Sequence, residues 1–138
     1  MFEMRQYTKR LKSGQDLKKE IEKMCKENNI DAGCLLSIVG GLSKAVLKTP
    51  RKPDETPTHN IQKDLEIVSG AGTLSKYGHH IHLSVSDKKG ETIGGHLDYG
   101  CIVRITCELV ILSFDNEVYT REDDSETGFK ELIIKTKN

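Results

Sequence analysis

The chain has no excess of charge of either sign. Its 21 acidic and 21 basic residues cancel, so no net field draws it to polyanions, and a nucleic-acid binder normally carries a basic excess or stripe. Stand-alone binding to duplex DNA is disfavoured. No stretch approaches the apolar length of a membrane span, and Met1-Phe2-Glu3-Met4-Arg5 lacks the apolar run of a signal peptide, which places the chain in the cytoplasm. No Cys-x-x-Cys pair occurs. Cys25, Cys34, Cys101 and Cys107 are scattered through apolar patterns, as expected of reduced packing thiols rather than disulfides or a thiolate zinc site. There are no repeats or low-complexity tracts, and 138 residues suit one domain, 1–138, with a real core.

What is abundant is histidine in one place. Four of the five histidines fall between His79 and His96. From His80 the chain alternates: His80, His82, Ser84 and Ser86 on one side, Ile81, Leu83 and Val85 on the other, the period of a half-buried strand. His80 and His82 therefore project from one face about 6–7 Å apart, within reach of one ion. Asp87-Lys88-Lys89-Gly90 reads as a hairpin loop and residues 91–97 as the returning strand. With that four-residue loop Ser86 pairs with Glu91, and His96 falls opposite Ile81, on the wrong face. One unpaired residue in the returning strand brings His96 opposite His82. Gly94-Gly95 is the expected place for such a bulge. The spacing fits a three-histidine metal site, with His79 and His59 outside it, and it equally fits solvated histidines on a strand bent by glycine.

Along the rest of the chain, residues 3–11 are a weak strand suited to a sheet edge. Ser13-Gly14-Gln15-Asp16 has capping-box spacing before the stripe Leu17, Ile21, Met24 and Cys25, predicting a helix over 15–28 with a mixed-charge solvated face. Residues 34–39 and 42–49 read as two strands around a break at Gly40-Gly41. All three prolines fall within 50–57, a surface loop or flap. Residues 65–68 form the next strand. Gly70-Ala71-Gly72 lacks the Gly-Lys-Ser/Thr ending of a phosphate loop and reads as a tight strand connection. Residues 101–114 are the longest strand candidate, with Cys101, Val103, Ile105, Cys107, Leu109 and Ile111 on one face and Arg104, Thr106 and Glu108 on the other. Such polar groups fit a salt bridge or subunit contact, or a contact beside a metal. Residues 118–121 and 129–134 supply the last strands around an acidic loop. One helix among antiparallel strands makes an α+β domain.

The sequence resembles the plants-and-prokaryotes-conserved (PPC) domain, stand-alone prokaryotic type, over nearly its whole length. The likeness runs through Arg10-Leu11, Gly14 and Asp16-Leu17, then Ile38 and Gly40, then Leu65-Glu66-Ile67-Val68-Ser69-Gly70. It continues through His80-Ile81-His82 with Ser84, Asp87 and Gly90, Gly94-Gly95-His96-Leu97, Glu108, and Gly128 with Leu132. The resemblance implies a twisted antiparallel or mixed sheet covered by one main helix, a homotrimer, and a divalent metal, zinc first, on His80, His82 and His96. The fold is also similar to that of acetolactate decarboxylase, a zinc lyase. Plant members join the domain to an AT-hook that enters the minor groove, and no Arg-Gly dipeptide occurs here. Three functions follow: a metal-binding trimer with no assigned role, a zinc-dependent lyase or hydrolase on a small oxygen-bearing metabolite, and a DNA-associated oligomerisation module. For an enzyme, residue type alone nominates Glu108 or Glu66 as acid or base and Arg104 for a substrate carboxylate. The row Arg104, Thr106 and Glu108 is expected at a subunit boundary that walls the metal site.

Overall fold

The stripe Leu17, Ile21, Met24 and Cys25 folds as the single helix, α1 (Leu17–Glu27), and all four side chains are buried. We describe the chain from a computed structural model covering residues 1–138. Asp16 caps α1, its side chain accepting from the Lys19 amide at 3.1 Å, which satisfies one of the free amides of the first turn. Lysine at that third position means that no reciprocal capping box forms. Around α1 the chain lays down β1 (Met4–Lys12), β2 (Gly33–Lys48), β3 (Thr58–Ile61), β4 (Leu65–Ser75), β5 (Gly78–Ser86), β6 (Thr92–Leu97), β7 (Ile102–Phe114), β8 (Glu117–Asp123) and β9 (Lys130–Thr136).

Every pairing is antiparallel. The main sheet runs β1-β7-β2-β4-β5-β6, with β3 added to β2 and the end of β2 also touching β6, while β8 and β9 form a separate hairpin. This is the α+β arrangement the sequence predicts. One face of the sheet and the stripe of α1 enclose an aliphatic core that includes Leu11, Ile21, Leu42, Leu47, Leu74, Ile81, Val85, Leu109 and Ile111. Removing these side chains from water, at about 25 cal/mol per Å² of apolar area, is the main force holding α1 to the sheet. No helix is long and apolar enough to cross a membrane.

Five expectations need correction. The longest strand is β2, with 16 residues against 13 in β7. It passes through Gly40-Gly41 unbroken, because the absence of a side chain at Gly40, whose Cβ would lie 2.3 Å from the Thr106 carbonyl oxygen, lets β7 close against it. Gly70-Ala71-Gly72 lies inside β4, and the connection comes later, at Lys76-Tyr77 between the paired Ser75 and Gly78. Ile105 is not part of the buried face. The ladder between β2 and β7 shifts register beside it, its φ is +67°, and its side chain is 66% exposed. Nor is the opposite face of β7 buried within the chain: Glu108 is exposed, paired across to Arg10 and Val39, and Arg104 Nε meets Asp64 Oδ1 at 3.1 Å.

Candidate metal centre

Register brings the histidines together. His82 stands directly opposite His96 in the β5–β6 ladder, and with side chains alternating along a strand, His80 shares their face. The extra residue needed for this lies in the loop and not at Gly94-Gly95. Ser86 pairs with Thr92, and Asp87 donates its amide to the Glu91 carbonyl at 3.0 Å, leaving Lys88-Lys89-Gly90 as a three-residue turn. Gly90 takes the left-handed conformation, φ +79°, that such turns use at their last position. Asp87 Oδ1 braces the loop by accepting from the Lys89 and Glu91 amides at 2.9 and 3.1 Å.

The two glycines have a different task. A Cβ on Gly95 would sit 2.5 Å from the Lys48 carbonyl oxygen, so its absence lets β6 close onto the end of β2, where Lys48 pairs with His96. The result is a compact donor cluster. Nε2 of His80 and Nε2 of His82 are 3.0 Å apart, and the three imidazoles each offer a nitrogen within 4.8 Å of the others. Two nitrogens bound at the usual 2.0–2.1 Å on a tetrahedral ion stand about 3.3 Å apart, so this spacing fits one ion with small adjustments. Burial, helped by the repulsion that a protonated His80 and Arg51 would exert on a second positive ring, pushes His96 down to about 4. Burial and then the nearby His82 and Arg121 likewise lower His80. Neutral imidazoles are the form that a metal requires.

His79 alternates to the other side of β5, where its Nε2 meets Glu22 Oε1 on α1 at 3.1 Å, and His59 is exposed on β3. Neither joins the cluster.

The cluster forms the floor of an open cavity of about 880 Å³, walled by the proline segment through Arg51, by Tyr77, and by the β8–β9 hairpin through Arg121, Phe129 and Glu131. Thr73 faces His80 across the β4–β5 ladder and accepts a 2.7 Å hydrogen bond from Arg121 Nη2. Arg51 lies over the Phe129 ring, 5.4 Å from its centroid, a cation–π distance. Glu66, Arg104 and Glu108 are absent from these walls. They stand along the part of the sheet where β7 and β4 flank β2. Sequence reasoning missed Arg51, Arg121 and Glu131, since no local spacing links them to the histidines.

The family model for the Plants and Prokaryotes Conserved (PCC) domain matches residues 2–115. The chain belongs to this family. The PPC match takes in the whole main sheet, α1 and all three clustered histidines, and it ends just before the β8–β9 hairpin. Among solved structures, a hypothetical protein from Salmonella enterica superposes with a TM-score of 0.92 at 30% identity, covering 100% of this chain and 98% of that one. A metal-containing protein from Archaeoglobus fulgidus gives a TM-score of 0.84 at 29% identity, covering 96% of each chain. A curated relative, the bifunctional protein GlmU of a Synechococcus strain, is 41% identical over 129 residues, 94% of this chain but 20% of the relative. The chain thus spans about a fifth of that protein's length.

Proposed function

We propose that this PPC-domain protein binds one divalent cation per chain through His80, His82 and His96, and works as a homotrimer. The observation that carries the reading is the three-nitrogen cluster within 4.8 Å at the floor of an open pocket. A donor set of three imidazoles suits zinc first among the divalent ions. The metal-containing description of the Archaeoglobus fulgidus protein supports it. Exposed Leu36, Val39, Val68 and Ile105 support self-association, as a sheet surface this apolar is commonly covered.

The open pocket favours a second reading: a metal-dependent lyase or hydrolase acting on a small oxygen-bearing metabolite. A cation held by three protein nitrogens keeps a position for a ligand and supplies Lewis acidity there. The chain's own contribution is to surround that position with Arg51, Arg121, Tyr77 and Glu131, groups able to orient a polar substrate.

Elemental analysis of protein purified without added metal or a polyhistidine tag tests the first reading, with one equivalent of metal expected per chain. His82→Ala should lose that metal and stay folded by circular dichroism. Full occupancy in the variant would end the assignment. Light scattering tests the trimer, and a monomer at micromolar concentration would exclude it.

A further inference from the structure

We infer that the cavity above the histidines recognises a small molecule bearing an oxyanion, a carboxylate or phosphoryl group, which Arg121 and Arg51 hold while the molecule's other end reaches the histidine floor. This deepens the metal-site reading, and rests on it only for that far end.

Arg121 carries the argument. The residue is partly buried, and its one side-chain hydrogen bond goes to a neutral hydroxyl, Thr73 Oγ1 at 2.7 Å. Guanidinium has five N–H donors, and a charge drawn out of water normally has a countercharge. Several other partly buried cations of this chain follow that rule, although Lys44 and Arg51 do not. Lys18 and Lys48 share Asp98 at 3.7 and 3.6 Å, and Lys76 and Lys137 share Asp31 at 2.8 and 2.7 Å. Arg121 has no carboxylate within ion-pair distance, the charge of Glu131 acting on it only from farther off, and it lines the cavity.

Arg51 supplies a second cation from the opposite segment, held over Phe129. The two segments are tied together at the cavity: a Cβ on Gly128 would lie 2.5 Å from Pro53 Cγ, so the hairpin turn packs directly on the proline segment. The wall is not wholly cationic. Glu131 lines it too, with Oε1 accepting from Thr127 at 3.0 Å, while Lys130 is drawn to Asp123 at 3.3 Å. Two guanidiniums with unspent donors remain, and their planar forks match a carboxylate or phosphoryl group. Arg121 hydrogen-bonds the residue facing His80, so a ligand seated on it lies within a small molecule's length of the floor.

The experiment is calorimetric titration of the full chain, its metal content measured beforehand, with malonate, inorganic phosphate and the uncharged malonamide. Saturable binding of malonate or phosphate is expected, the better of the two identifying the group, with no binding of malonamide. Arg121→Gln and Arg51→Gln should each weaken the anion about tenfold, the scale of a lost charge-assisted hydrogen bond, with metal content unchanged. Absence of anion binding, equal affinity in both variants, or malonamide binding as tightly as malonate would overturn the inference. If Arg121→Gln does not fold, Arg51→Gln decides. A metal-free wild type would defeat the metal reading alone, because the same titrations on that protein still judge the arginines.

Discussion

Gly95 and the Lys48 carbonyl approach so closely that a methyl group on the glycine would lie 2.5 Å from the oxygen. Gly95→Ala must therefore push β6 away from β2 and carry His96 with it. We expect a loss of about 1–3 kcal/mol in urea unfolding, the usual scale of overpacking, together with weaker metal binding. Gly90→Ala, with nothing within 4 Å but a left-handed φ of +79°, should cost about 1 kcal/mol through backbone strain in the turn, without the direct clash that separates β6 from β2. Equal metal affinity in Gly95→Ala and wild type would show that β6 is not held by this contact.

Acid should weaken the metal-free protein before its carboxylates protonate. His96 titrates near 6.5 when unfolded and near 4 when folded, so between these values the unfolded chain binds more protons and stability falls with falling pH. The contribution is complete above about 6.5 and is lost as pH drops toward 4. His79 and His80 are also lowered, chiefly by burial, and act in the same direction. Urea midpoints of chelator-treated protein should decline over this window, and His96→Gln should flatten the decline. An unchanged slope in the variant would place the effect elsewhere.

Thiol reactivity should be confined to one position. Burial pushes Cys25 and Cys101 up to about 11 and Cys107 to about 12, so almost no thiolate exists there at neutral pH. Cys34 is raised as well but is only partly buried. Timed alkylation of native protein followed by peptide mass spectrometry should modify Cys34 first, and early labelling of Cys107 would contradict the packing of β7.

The left-handed backbone at Ile105 is unfavourable for a β-branched residue, by about 1–2 kcal/mol, and its side chain is 66% exposed. Ile105→Gly should raise the urea midpoint. A lower midpoint with a lower mass by light scattering would mean instead that another copy of the chain covers this side chain.

The period of α1, the edge position of β1 and the same-face pair His80 and His82 were legible because each depends on residues near one another in sequence. The pairing of His96 with His82 was legible too, since a single extra residue beyond the simple hairpin is the smallest change that puts all three histidines on a common face. The device that sets the register was not: the extra residue could sit in the turn or in the strand, and Gly94-Gly95 advertised a bulge although Gly95 serves a contact with β2. The end of β2 contributes nothing to local patterning around the histidines, so that contact had no signal. Arg121 was hidden for a similar reason. Its hydrogen bond to Thr73 spans 48 residues, whereas Arg104, chosen by residue type within a long strand, pairs with Asp64.

Along Thr92 to Gly95, β6 has a ladder partner on one side only, β5, and meets β2 just at His96 and Leu97. His96 therefore sits where a one-sided margin of the sheet, residues 92–95, becomes anchored on both sides, while His80 and His82 lie one strand further in. A ligand that drew the three imidazoles to a common point would lace that margin from above, by side chains, adding to the short ladder with β2 at its far end. Amide protons of β6 would then report on the cluster by their exchange rates, slowing when the lacing is drawn and quickening when a chelator undoes it.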